Sequence, residues 1–470
     1  MKTRYSSLPA LVAGAATLLG ASAALATNGM DLEGYGPIAL GMGGASLAFD
    51  NGTGAMINNP ATLGLAKEGS RLEIAFGALG PKVRAEMTMP GAPVFREESS
   101  STIFAMPALG YVRNSEKWSI GLGVFGQGGM GTNYGDSSFM SMNPVTGEPT
   151  GLTNMSSVSV GRMLIPATYR LNDKLIIGGT ADLVYAGLDM EMLISGAQFT
   201  DMMTPGQQTM GTATPDAIFA GILADPSLGE MEYAHLSLND ESDVKSATDA
   251  FGFGLNLGFL YQATDKIAIG GIYHSKTWLA DLEGRGQMAM SMANTGLMPA
   301  MTGDITIKDF EWPQLFGLGF AAQATDQLLI SLDAKYIGWK DVMDDFQLHY
   351  KADDEFGGGS MDMALYQNWD DQLVIATVLQ YTLDETLDLR AGYNYGKNPI
   401  PDEYVNPLFP AIVENHATLG AGWKLSDSGR IDLAFSHAFE IDQQNSNPLS
   451  GGVVSFHSQN NFQISYLYSF

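Results

Sequence analysis

The chain has 470 residues with no cysteine, 56 glycines and a formal net charge of −27, which excludes a disulfide framework, a thiol nucleophile and a Cys-based metal site. So acidic a balance argues against nucleic acid, whose phosphates demand a basic footprint. The mean hydropathy of +0.01 excludes a bundle of membrane-spanning helices but admits a membrane β-barrel, whose strands alternate between lipid-facing and lumen-facing side chains.

The chain opens with Lys2 and Arg4, followed by the apolar run "LPALVAGAATLLGASAALA". Charge, length and the small-residue exit at Ala24-Leu25-Ala26 predict a signal peptide over residues 1–26, so the exported chain would begin near Thr27. Beyond it no segment reaches the roughly 18 to 20 apolar residues that a spanning helix needs.

Residues 27–69 carry "GYGPIALGMGGASLAFDNGTGAMINNPATLGLAKEG", a Gly-rich piece with too little alternation for a sheet wall. Within it Asn59 is placed to cap a short helix and Pro60 to occupy its first position, where a missing N–H costs nothing. From Arg71 onward the pattern has period two. In "FGFGLNLGFLY", Phe251, Phe253, Leu255, Leu257, Phe259 and Tyr261 share one face; in "LDLRAGYNY", Leu387, Leu389, Ala391, Tyr393 and Tyr395 do so. Charge falls on the opposite set, so the apolar set is assigned to lipid. The closing stretch "NFQISYLYSF" alternates in the same way, with Phe462, Ile464, Tyr466, Tyr468 and Phe470 on one side.

Six short polar turns punctuate these strands: "RNSEK" at 113–117, "LNDK" at 171–174, "ATDK" at 263–266, "ATDQ" at 324–327, "LDET" at 383–386 and "SDSGR" at 426–430. Short inner turns alternating with long outer loops predict an all-β, 14-stranded antiparallel transmembrane β-barrel over residues 70–470. The outer loops are expected near 80–99, 127–155, 191–248, 284–303, 341–367, 397–411 and 441–456. A barrel of that width has an interior, and residues 27–69 are read as an N-terminal helical hatch plugging it; a periplasmic tail is the alternative.

"GLGVFG" at 121–126 matches GxGxxG, but its glycines fall within a strand, where a dinucleotide site needs them between a strand and a helix. In the same strand the alternation breaks at Phe125, and Gly126, Gly128 and Gly129 follow, which reads as a kink or as a strand running into a loop. Most of the 26 methionines fall in the expected outer loops. Met288, Met290, Met292, Met298 and Met301, with Phe219, Ile222 and Leu223 of "DAIFAGILAD", are assigned to an exposed capture surface for a hydrophobic small molecule, because methionine is over-used on promiscuous apolar surfaces. The six histidines lie at no metal spacing, and neither a metal nor a cofactor is expected. Asp182, Asp333, Lys335, Asp388, Arg390 and Asp432 fall on the lumen face, where they are expected to pair with one another or with the hatch.

The sequence resembles the FadL-type family of outer-membrane long-chain fatty acid and hydrocarbon transporters. The resemblance rests on "ALGMGGASLAFDNGTGAMINNPATLGLA", "GFGLNLGFLYQATDKIAIGGIYHSK", "LRAGYNYGKNPIPDEY" and "LGAGW". The Asn59-Pro60-Ala61 triplet is its most specific mark, and Thr62 stands where a glycine often follows. The resemblance implies a cell outer membrane location, a fourteen-stranded barrel with a hatch, and an inward kink at Phe125, Gly126, Gly128 and Gly129 that opens the wall sideways. The function expected is passive uptake of fatty acids or hydrocarbons with lateral release, by a monomer among outer-membrane lipids and lipopolysaccharide. A lipid-modifying barrel enzyme and an open diffusion porin are the alternatives. The enzyme would need Ser or Asn converging with His, and Ser436-His437 is an adjacent pair on opposite faces.

Overall fold

The computed structural model describes residues 28–89, 91, 93–239 and 245–470, so the expected signal peptide lies outside the described residues. The period-two segments form strands because each alternation supplies one face for lipid and one for the interior. Along Thr248–Thr264, Phe251 to Tyr261 on the odd positions stand exposed, whereas Gly252, Gly254 and Asn256 are buried. From Gly69–Met87 the antiparallel pairing passes in chain order through Phe104–Asn114, Trp118–Gly135, Asn154–Arg170 and Leu175–Ser195 to Thr248–Thr264. It continues through Ile267–His274, Leu315–Gln323, Leu328–Ile337, Gln372–Thr382, Leu387–Gly396, Asn415–Lys424 and Gly429–Gln444 to Val454–Ser469. That strand pairs back onto the first, Arg71 opposite Ser469 and Glu86 opposite Val454, so the wall closes as an antiparallel β-barrel without a free edge.

The six polar turns connect consecutive wall strands at one end. At the other end the chain is more ordered than a set of loops. The expected loop 284–303 is two strands, Leu282–Met292 and Met301–Lys308. They belong to a canopy sheet that leaves the wall at Leu175–Ser195 and runs through Met231–Leu238, Leu282–Met292, Met301–Lys308, Asp345–Ala352, Ser360–Tyr366 and Gly211–Pro215. Two capped helices pack on it, Gly196–Met203 with a Ser195/Gln198 capping box and Ala217–Leu223 capped by Asp216.

Residues Asn28–Ala66 occupy the inside of the ring. Their short helices, Pro37–Gly41, Ala55–Asn58 and the 3₁₀ turn Pro60–Leu65, touch the wall from Leu387–Gly396 to Val454–Ser469 and from Phe104–Asn114 to Thr248–Thr264. Inward glycines make room: a Cβ on Gly270 would lie 1.7 Å from the Leu47 carbonyl, and one on Gly258 would lie 2.1 Å from Asn59 Oδ1.

Candidate functional site: hatch, kink and outer cavity

The Asn59-Pro60-Ala61 triplet fixes the inner segment Asn28–Ala66, the expected hatch, to the wall. Asn59 is the N-cap, its Oδ1 accepting from Ala61 N at 3.1 Å, and the turn it caps is 3₁₀. Its Nδ2 donates to Leu47 O at 2.7 Å and to the wall carbonyl of Phe259 at 3.1 Å. The carbonyl of Pro60 accepts from the wall hydroxyl of Thr168 at 2.8 Å, and Thr62 Oγ1 donates to Asn59 O at 2.9 Å.

All six lumen charges are engaged. The Asp333 carboxylate accepts from the hatch amides of Ser46 at 2.7 Å and Leu47 at 3.0 Å. Lys335 Nζ donates to the hatch carbonyls of Glu33 at 3.1 Å and Gly44 at 2.9 Å. Arg390 pairs with Asp432 at 2.8 Å, and Arg430 bridges Asp388 at 2.8 Å and Asp432 at 2.7 Å. Asp182 pairs with Arg162 at 2.8 Å, both buried. Sequence reasoning missed Arg162, Arg430 and the hatch acid Glu33, although a charge at inward parity within an apolar strand is a signal for the first two. Glu33 accepts from Ser436 Oγ at 2.5 Å, which places Ser436 against the hatch and leaves His437 turned outward to Asn460. Burial pushes the Glu33 carboxyl up to about 7 despite Ser436, Asn461 and the nearby Lys335.

The wall changes at Phe125. The strand Trp118–Gly135 pairs with its preceding neighbour only as far as Phe125 opposite Ala108, yet pairs with the following one out to Gly135, with register shifts at Gly126/Gly128 and Asn133/Gly135. Pro107 lies just past the last paired residue and has no N–H to extend the ladder. The hatch tip meets this point: Gly128 bridges Asp31, Gly129 N donates to Met30 O at 3.3 Å, and the Tyr35 phenol lies 2.9 Å from Gln127 O. A Cβ on Gly128 would stand 2.1 Å from Met30 O, so only glycine fits. Phe125 is buried, and Gly126 lies against Met106.

Above the kink is a cavity of about 720 Å³ lined by Met87, Met140, Met142, Met192, Met202 and Met210, together with Phe95, Tyr404 and Leu408 among others. Among the described residues no lysine, arginine or histidine lines it, and Glu403 is the one charged residue that does. The expected capture residues are elsewhere. Phe219, Met288, Met290, Met292 and Met301 are buried in the canopy core, with Ile222, Leu223 and Met298 packed partly buried against it. They are not an exposed surface because the end of the strand, Met288 to Met292, is covered on both faces: its methionines face the core, and Glu232 ties Ser291 to Asn143 over the other side, each at 2.9 Å. Cavity-lining Met192, Met202 and Leu408 share one continuous apolar cluster with Met130 of the kinked strand and with Met30 and Leu47 of the hatch.

Comparison with known proteins agrees with this architecture. The Pseudomonas putida toluene transporter TodX superposes with a TM-score of 0.81 at 31% identity, covering 94% of this chain and 99% of that one. The Ralstonia pickettii toluene transporter TbuX does so with 0.75 at 27%, covering 93% and 99%. Outer membrane protein P1 of Haemophilus influenzae is 24% identical over 69% of this chain, and the match spans 63% of that protein's length. The family model described as outer membrane protein transport protein (OMPP1/FadL/TodX) matches residues 14–468. The chain belongs to this family of outer-membrane transporters of hydrophobic molecules, which are not enzymes.

Proposed function

We propose that this protein takes up neutral hydrocarbons passively. Cargo enters the methionine-lined outer cavity, descends the apolar cluster and leaves sideways where the wall parts at Phe125–Gly129, once the hatch tip withdraws from Gly128. In this reading residues 27–69 are the hatch and the wall counts fourteen strands, a reading supported by the closed run of pairings from Gly69–Met87 to Val454–Ser469. The protein works as a monomer among outer-membrane lipids.

The observation that carries the choice of cargo is the cavity lining, which offers no cation to a carboxylate. The lumen cations are occupied: Lys335 by hatch carbonyls, Arg390 by Asp432, Arg430 by Asp388 and Asp432, and Arg162 by Asp182. The likeness to two toluene transporters supports the same choice. The test is uptake by proteoliposomes of toluene, palmitate and a sugar of similar mass to palmitate. Toluene entering well above protein-free vesicles, with palmitate and sugar at background, is the expected result. Palmitate entering as readily as toluene overturns the neutral-cargo assignment, and sugar entry overturns the hydrophobic path.

A further inference from the structure

The lipid-facing side of the wall is not uniformly covered. Phe259, Gly271, Leu318 and Ala334 lie side by side across four neighbouring strands. Two residues nearer the outer end, the row is Leu257, Tyr273, Phe316, Tyr336 and Leu373. Both rows have the parity that faces lipid, and Leu257, Phe316, Leu318, Tyr336 and Leu373 are exposed. The outer row is large throughout, whereas Gly271 and Ala334 are small, so the surface is notched on either side of Leu318. The Phe259 ring leans over the bare backbone of Gly271, where a Cβ would lie 2.3 Å from it. The resulting hollow measures about 570 Å³, within the roughly 300 to 1,000 Å³ of small-ligand sites.

This hollow is not a passage through the wall. The strands pair across these positions without a register shift, unlike Gly126/Gly128 at the kink. Lys335, the one charged residue bordering it among the described residues, has its Nζ bound to the hatch carbonyls of Glu33 and Gly44. Its occupant therefore comes from the lipid side. At the outer rim the Tyr336 phenol donates to Asp371 Oδ2 at 2.6 Å, and Lys340 N donates to Asp371 Oδ1 at 3.1 Å. One carboxylate thus ties the rim to the 3₁₀ turn Trp339–Asp341, which carries the exposed Lys340. The adjacent Asp341 accepts from Gln314 at 3.1 Å.

We propose that the hollow seats one acyl chain of a lipid A molecule, with Lys340 meeting a phosphate of its headgroup. The hollow lies at the end away from the six polar turns and so in the outer leaflet, which lipopolysaccharide builds in a Gram-negative outer membrane. A saturated chain packs beside Leu318 beneath the outer row, and its phosphorylated sugar then comes level with Lys340, where a cation at the membrane surface favours an anionic headgroup. The proposal rests on the reading that the protein works among outer-membrane lipids, and not on the choice of cargo.

The experiment titrates the delipidated full-length protein in detergent with lipid A, and separately with dipalmitoyl phosphatidylethanolamine, and counts bound lipid by native mass spectrometry. The wild type is expected to bind one lipid A at concentrations where phosphatidylethanolamine does not bind. Ala334→Phe fills the notch from a lipid-facing position and should weaken lipid A binding roughly tenfold, the worth of about two displaced methylenes. Lys340→Gln should weaken it about fivefold, the worth of one lysine at a lipid surface. Phosphatidylethanolamine binding as tightly as lipid A overturns the occupant, and lipid A binding undiminished in Ala334→Phe overturns the hollow as its seat. Undiminished binding in Lys340→Gln overturns the phosphate contact, and a wild type that binds no lipid A overturns the whole proposal. If Ala334→Phe does not give the heat-modifiable compact form, Ala334→Leu decides in the same way. Lipid retention is measured without cargo, so its failure is distinguishable from a failure of hydrocarbon uptake.

Discussion

The phenol oxygen of Tyr35 lies 2.9 Å from the carbonyl of Gln127 and 2.5 Å from Asp31 Oδ1, so one hatch side chain spans from the hatch's own tip to the kinked strand. The Tyr35 hydroxyl donates to the Asp31 carboxylate and has the Gln127 carbonyl as its second acceptor, and burial raises the Asp31 carboxyl. Removing the phenol strands both partners. Tyr35→Phe should weaken tip docking by about 1 to 3 kcal/mol and increase brief conductance steps in planar bilayers, with barrel melting unchanged. A trace identical to the parent's would dissociate Tyr35 from hatch control.

Glu33 gives the hatch a pH dependence whose sign is fixed. Its folded-state pKa is raised from 4.5 to about 7, so its contribution to docking is full below the unfolded value and is lost as pH rises through about 7. Hatch opening, read as conductance steps, should be rarer at pH 5 than at pH 8. Glu33→Gln, which still accepts from Ser436, should flatten that dependence.

The Arg162–Asp182 pair is buried on both sides, so breaking it from one side should cost more than removing it altogether. Asp182→Leu leaves an uncompensated buried guanidinium, a loss of about 3 to 5 kcal/mol, and Arg162→Met with Asp182→Leu should recover most of it. The temperature at which the compact gel form is lost reports both. Equal losses in the single and double variants would mean that the pair is not coupled.

Burial of Met288, Met290 and Met292 changes what their replacement does. Changing all three to Ser empties apolar volume from the canopy core at about 2 to 5 kcal/mol for each side chain, so the canopy should become cleavable by external protease while the wall resists. An intact canopy with slowed uptake would restore them to a capture surface.

The wall was legible because lipid on one side and a lumen on the other impose a two-residue period, as along Phe251–Tyr261. The polar inner turns were legible because nothing but a tight reversal fits between two such runs. The canopy was not, because Met288 to Met292 are buried at every position, so their alternation of Met with Ala and Ser has no charged or exposed face to mark it as a strand. Its strands also pair across long stretches of chain, Leu175–Ser195 with Met231–Leu238 for example, which local pattern cannot foresee. The lumen charges could be placed by parity, but their partners could not. Lys335 is held by backbone carbonyls of the hatch, and a carbonyl leaves no mark in a sequence.

The two bonds that Asp333 receives from Ser46 and Leu47 also measure the alignment of the wall. A one-residue slip in any strand exchanges its two faces, so a slipped Leu328–Ile337 would turn Asp333 toward lipid and leave both hatch amides without their acceptor. Thr418, which accepts from Gly43 N at 2.9 Å, and Ser436, which donates to Glu33, check two further strands in the same way. The segment at the centre thus reads the register of staves far apart in the chain. A misaligned barrel cannot seat its hatch, and a seated hatch is the mark of correct assembly.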